Sequence, residues 1–235
     1  MVITVSNKKI KVKVKVRKLK ILNIILCLLI LYICYFIIST IINKKITNIY
    51  ITGNNIISDK EIISISNLED YPSFVLTSSN KIKKLLLQND YIKEVEVTKK
   101  IFGKIIIKIK EKKILFKEKD TNKLVLEDKT KVDNIYSIDE VPILINTVDS
   151  SEYDYFIKKI SKVDSNILLK ISEIEYAKVD VDKQRFLLYM NDGNYVYITL
   201  SKINNLNKYE EIYNSLEGKK GIIYLDSGNY FEEVK

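Results

Sequence analysis

From Ile21 to Ile42 the chain reads ILNIILCLLILYICYFIISTII, 22 residues without a charge or a proline. A helix of that length spans about 33 Å, enough for a hydrocarbon core of about 30 Å. A run this apolar also suits a buried helix of a soluble protein or the core of a cleaved signal peptide. Its length, the lysines at both ends, and an exit through Ser39, Thr40, Ile41 and Ile42 without a small-residue cleavage pattern favour an uncleaved membrane anchor.

After the anchor the period changes. Residues 46–52 alternate, with Ile49 and Ile51 on one face, and predict a strand closed by Gly53-Asn54. Ser58-Asp59-Lys60-Glu61 has the spacing of a capping box, flanked by Ile57 and Ile62 at staple positions, and predicts a short helix to Ser66. A second helix is expected near Ser79, with Ile82, Leu85 and Leu86 at core spacing. Val95 and Val97 alternate with Glu94, Glu96 and Thr98. A turn at Phe102-Gly103 then leads to Ile105, Ile107 and Ile109 on a matching strand. The order is strand, helix, helix, strand, strand.

The second half is richer in strands. Short ones are predicted at 114–117, 124–127 and 143–146. A helix from Ser151 carries Phe156, Ile160 and Val163, and a shorter one carries Ile167, Leu168 and Ile171. Strands are predicted at 174–181 and 184–190. Asn191-Asp192-Gly193-Asn194 signals a tight hairpin, because these residues tolerate positive φ. The returning strand is 195–200. A helix after Ser201 holds Ile203, Leu206, Tyr209, Ile212, Tyr213 and Leu216 and closes at Gly218. Strands at 221–225 and 230–234 flank the turn Asp226-Ser227-Gly228. The fold class is α+β: one anchor helix, a β-α-α-β-β module, and a β-rich domain with helices.

Charge changes the picture at the anchor. Residues 1–45 hold 10 basic and no acidic residues, so the net charge of +9 leaves 29 basic against 30 acidic residues beyond them. Eight of the ten precede the anchor, among them Lys15, Arg17, Lys18 and Lys20, and only Lys44 and Lys45 follow it. Positive residues stay on the cytoplasmic side, so the N-terminus is expected inside and the larger part outside. The tail KIKVKVKVRK reads as a topology signal that contacts anionic lipid, and a near-neutral outer portion argues against nucleic-acid binding.

Chemistry-bearing residues are sparse. The chain has no histidine, which removes Ser-His-Asp and Cys-His catalysis and histidine metal sites. Cys27 and Cys34, seven apart on one face of the anchor, read as apolar filler or an acylation site. No phosphate-loop, dinucleotide or CxxC motif occurs. The Asp and Glu residues fall mostly on solvated faces of the predicted elements. No catalytic residue, metal, cofactor or small-molecule substrate is expected.

The ordered parts resemble the FtsQ/DivIB family of bacterial cell-division proteins. The local matches are IYITGNNIISDKEI (49–62), NDYIKEVEVTKKIFGKIIIKIKEKK (89–113), VPILIN (141–146), MNDGNYVYI (190–198) and GKKGIIYLD (218–226). Two positions depart from the family pattern. Glu111-Lys112-Lys113-Ile114 lacks the usual proline, and Asn146 stands where glycine is common. The resemblance implies a basic cytoplasmic tail (1–20), the anchor (21–42), a POTRA-like module (46–112) and a β-rich domain (113–235). It implies a non-enzymatic division scaffold at the septum. The scaffold binds FtsL-like and FtsB/DivIC-like bitopic partners outside the membrane, with the septal peptidoglycan synthase a further candidate. Partner contact is expected at the C-terminal edge of the β domain, on Gly221, Ile222, Ile223, Tyr224 and Leu225 with Tyr230 and Phe231. The rival readings are a POTRA-bearing secretion or chaperone component, which would need repeated units or a barrel, and an anchored enzyme with a Ser-Lys pair, for which no motif is present.

Overall fold

The computed structural model describes residues 21–234; the predicted cytoplasmic tail, 1–20, lies outside them. Helix α1 spans Ile21–Ile42, the bounds predicted from the apolar run, and none of its residues is buried. Among the described residues it is the single helix long and apolar enough to cross a membrane.

The first module comprises β1 (Asn48–Thr52), α2 (Asp59–Ile65), α3 (Ser79–Leu86), β2 (Ile92–Lys100) and β3 (Lys104–Glu111). The central strand is β3, parallel to β1 and antiparallel to β2. Alternation decides its faces: Ile105, Ile107 and Ile109 enter the core beside Val95, with the paired helices packed over them. Both helix starts are capped, Ser58 accepting from the Glu61 amide (3.3 Å) and Ser78 from the Lys81 amide (3.4 Å). The reciprocal half of the predicted capping box is replaced. The Glu61 carboxylate accepts instead from the Tyr136 hydroxyl at 2.6 Å. A phenol held beside it by edge-on packing against Tyr91 (4.9 Å) offers a bond protected from water, which an exposed Ser58 amide does not.

The second part forms a nine-stranded sheet. Its strands are β4 (Ile114–Glu118), β5 (Leu124–Leu126), β6 (Lys131–Val132), β7 (Ile143–Leu144), β8 (Ile171–Tyr176), β9 (Arg185–Met190), β10 (Tyr195–Thr199), β11 (Gly221–Tyr224) and β12 (Tyr230–Glu233). They lie in the order β12-β11-β10-β9-β8-β7-β4-β5-β6. Helices α4 (Ser150–Ile160), α5 (Ser165–Leu168) and α6 (Tyr209–Ser215), with a 3-10 segment Leu200–Lys208, accompany it. The main core contains Phe116, Phe156 and Phe186, with ring centroids 5.2 Å and 4.5 Å apart in succession.

Two predicted elements are corrected and one short strand is added. The strand placed at 174–181 is Ile171–Tyr176, so Ile171 belongs to β8 and not to the preceding helix. A register shift between Ile171 and Glu173 breaks the alternation that would have revealed it. The first half of the helix after Ser201 is 3-10, with α geometry only from Tyr209. β6 was not predicted, because two residues carry no period.

One departure from the family pattern, Asn146, has a visible structural role. Asn146 continues β7 with its side chain: Oδ1 accepts from the Tyr176 amide (2.7 Å) and Nδ2 donates to the Tyr176 carbonyl (3.0 Å). At Lys113 the ammonium donates to the Ser161 and Val163 carbonyls just past α4, and burial pushes its pKa down. Next to it Lys112 pairs with Asp128 at 2.6 Å.

The junction between the two parts is packed. Leu124, Leu126 and Val132 belong to the same apolar cluster as the first module. Tyr91 donates to the Asp133 carbonyl (2.7 Å) beside the Tyr136–Glu61 bond. Burial, then the bond to Glu61, pushes the Tyr136 phenol up to about 12. Because this exceeds the ordinary phenol value of 10.0, its contribution is complete below that pH and is lost as pH rises through the folded value. The urea midpoint, followed by circular dichroism, is expected to fall as pH rises from 10.0 to about 12. It is expected to fall by less in Tyr136→Phe. An equal fall in both proteins would contradict this role for Tyr136.

Candidate partner-binding edge

The sheet has two edge strands among the described residues, β6 and, at its C-terminal end, β12. Strand β11 lies between two neighbours, parallel to β10 and antiparallel to β12. The Leu225 amide donates to the Tyr197 carbonyl (2.8 Å), so Gly221, Ile223 and Leu225 direct their backbone groups toward β10. The Val234 amide donates to the Lys220 carbonyl (3.1 Å), one step beyond the Gly221–Glu233 pair. Ile222 therefore shares hydrogen bonds with Glu232, and Tyr224 with Tyr230. The remaining backbone groups of β12, on Phe231 and Glu233, point away from the sheet.

Side-chain placement divides the predicted contact residues. Gly221, Ile223 and Leu225 are buried. Ile222 and Tyr224 are half-buried on the opposite face. Tyr230 is exposed, and Phe231 packs from the edge against the main core. The inward residues are structural, and a docking segment would meet β12 first. Of the predicted flanking basic residues, Lys44 and Lys45 are exposed at the anchor exit, whereas Lys15, Arg17, Lys18 and Lys20 lie outside the described residues.

Two features stiffen this edge. On the outer face a stack crosses four strands. The Arg185 guanidinium lies 3.7 Å from the Tyr197 ring centre, Tyr197 is 5.4 Å from Tyr224, and Tyr224 is 4.4 Å from Tyr230. Arg185 also pairs with Asp226 in the turn between β11 and β12 (2.7 Å). Burial pushes the Asp226 carboxyl up, but the Arg185 bond and charge together with the bonds from Ser227 outweigh it and hold the pKa low. The stack thus ends on a fixed charge. On the inner face Asn194, 1% exposed, accepts from the Gly221 amide (3.0 Å) and donates to Asp192 Oδ1 (3.0 Å). In the sequence Asn194 reads only as a turn residue; a polar side chain just outside the hairpin tip is the available signal.

Beside β12 runs a groove between α6 and the β11–β12 hairpin. Ile212, Leu216, Ile223, Leu225 and Phe231 line its apolar floor, with Lys208 and Glu211 at the rim. An exposed strand edge next to an apolar groove can receive an extended segment through main-chain bonds and hold its alternate side chains.

The chain is similar in sequence to known proteins along most of its length. The family model described as POTRA domain, FtsQ-type, matches residues 44–112. Cell division protein DivIB of Bacillus subtilis (strain 168) is 34% identical over 196 residues, covering 81% of this chain and 74% of its own length. DivIB of Listeria monocytogenes serovar 1/2a is 29% identical over 243 residues, covering 98% and 89%. A solved structure of the major extracytoplasmic domain of DivIB from Geobacillus stearothermophilus covers 46% of this chain and 95% of its own, at 21% identity and a TM-score of 0.38. On the extent of these matches the chain belongs to the DivIB family of bacterial cell division proteins.

Proposed function

We propose that this chain is a non-enzymatic docking platform of the division machinery, held by α1 with its N-terminus in the cytoplasm and its domains outside. Its work is to bind FtsL-like and FtsB/DivIC-like bitopic partners at the septum and so to support septal peptidoglycan synthesis, with the septal synthase a further candidate partner. The observation that carries this reading is the free edge of β12, whose outward amides and carbonyls on Phe231 and Glu233 lie beside the apolar groove. Such groups pair readily with an added strand.

The same geometry selects the test. Ile223→Pro would break a buried strand bonded on both sides and would confound docking with unfolding. Glu233→Pro is cleaner. It removes an outward N–H, leaves the β11 bonds intact, and sits where an edge strand tolerates proline. Capture of the FtsL- and DivIC-like partners' extracytoplasmic segments should weaken about tenfold or more, with the melting temperature nearly unchanged. Undiminished capture by a folded Glu233→Pro chain would sink the edge-docking reading.

A further inference from the structure

The three most exposed apolar side chains of the first module, Ile101, Phe102 and Leu76, lie at one end with Val75, whereas Tyr50 and Leu87 are exposed elsewhere. Ile101 and Phe102, at the tip of the β2–β3 hairpin, are 75% and 70% exposed, and Val75 and Leu76, in the segment before α3, are 47% and 69% exposed. Phe102 has φ 63°, and Gly103 after it has φ 75°. Turn chemistry at positive φ favours Asn, Asp or Gly, so a bulky exposed phenylalanine here runs against local preference.

Both loops are tied to the end of the anchor. Ser73 donates its hydroxyl to the Ile42 carbonyl at the last residue of α1. The Phe74 amide donates to the Lys44 carbonyl (2.8 Å), and the Ile46 amide to the Pro72 carbonyl (3.0 Å). Thr47 reaches the hairpin, its amide donating to the Gly103 carbonyl (2.9 Å) and its hydroxyl to the Phe102 carbonyl (2.8 Å). Lys99 joins the two loops, donating to the Phe74 and Thr77 carbonyls and lying 4.3 Å from the Phe74 ring centre. There is thus no slack linker at the exit. A 22-residue span about fills the hydrocarbon core, so its end falls at the boundary with the headgroups. Lys44, Lys45, Lys100 and Lys104 are exposed around the patch, suited to lipid phosphates.

We propose that this end of the POTRA module is seated in the outer lipid interface, with Ile101, Phe102, Val75 and Leu76 entering the boundary between headgroups and acyl chains. The occupant of the patch is phospholipid. An apolar tip rimmed by lysines and hydrogen-bonded to the end of a membrane span has the composition of an interfacial anchor. The module is then clamped to the bilayer at a fixed tilt, and α1 sets the orientation of the β domain as well as its address.

The proposal rests on the reading of α1 as membrane-spanning, and the test separates the two. The chain has no tryptophan, so one introduced residue reports its own depth. Phe36→Trp in the anchor, Phe102→Trp at the tip and Val181→Trp, whose native residue is 95% exposed, are each placed in the full chain. The chains are reconstituted in phosphatidylethanolamine–phosphatidylglycerol vesicles, with or without brominated acyl chains. Bromine should quench Phe36→Trp and Phe102→Trp at least about twofold more than Val181→Trp, and the Phe102→Trp emission should be blue-shifted. Quenching of Phe36→Trp with Phe102→Trp no higher than Val181→Trp overturns the seating and leaves the anchor intact. Lack of quenching in Phe36→Trp overturns the anchor and the seating with it. Shielding of Phe102→Trp that appears only when a protein partner is added assigns the patch to that partner and also overturns the proposal.

Discussion

Asn194→Ala is expected to unlatch the C-terminal strands and abolish partner capture. Its Oδ1 is the acceptor for the Gly221 amide, and its Nδ2 donates to Asp192, which also accepts from the Tyr209 hydroxyl at 2.8 Å. This buried network joins the β9–β10 hairpin to α6 and to the first residue of β11. Alanine strands a buried N–H and removes a donor from Asp192, a loss of roughly 3 kcal/mol. No side chain larger than glycine's hydrogen can compensate from position 221, since a Cβ there would lie 2.1 Å from the Glu232 carbonyl oxygen. Asn194→Asp preserves the acceptor but sets a second carboxylate against Asp192, so it should also destabilise. Asn191→Ala loses an exposed bond to the Leu169 carbonyl (2.8 Å) and should cost under about 1 kcal/mol. Thermal melts rank the three, and hydrogen exchange at the amides of 221–224 locates the damage. Exchange at Gly221 as slow in Asn194→Ala as in the parent would refute the latch.

Local rules accounted for the elements whose sequence carries a period or a cap. The apolar run delimits α1, the capping serine Ser58 starts α2, core spacing places α3 near Ser79, and alternation assigns inward and outward faces in β2 and β3. What local rules cannot supply is pairing. β12 becomes an edge strand because β11 lies parallel to β10 across the intervening 3-10 and α6 segments. No short-range signal encodes that step, so from sequence the candidate site spreads over both strands of the hairpin. Polar residues hid for a related reason. Asn146 reads as the end of a short strand and Asn194 as a turn residue, yet each serves a strand distant in sequence, Tyr176 and Gly221 respectively. Burial creates the need for those partners, and burial is visible only in three dimensions.

Glu111→Ala is expected to be the most damaging single change in the POTRA module. The carboxylate closes β3, and its two oxygens accept from three consecutive amides: Asn55 (3.0 Å), Ile56 (3.0 Å) and Ile57 (2.9 Å). Such charge-assisted bonds are about twice as strong as neutral ones. They fix the loop that carries Ile57 into the core and leads into α2. The corner has little freedom to adapt, since Gly53 has φ 86° and a Cβ there would sit 2.1 Å from the Ile109 carbonyl oxygen. With alanine, three amides lose their acceptor and the destabilisation should be roughly 3–4 kcal/mol. Glu111→Gln keeps one acceptor oxygen but turns an NH2 toward N–H groups, and should cost about half as much. The effect should reach beyond the module, because α2 also carries Glu61, the acceptor for Tyr136 at the junction. Hydrogen exchange should therefore quicken first at the amides of 55–57 and then at those of 133–138. Protection retained at 55–57 in Glu111→Ala would show that the loop is held by packing alone.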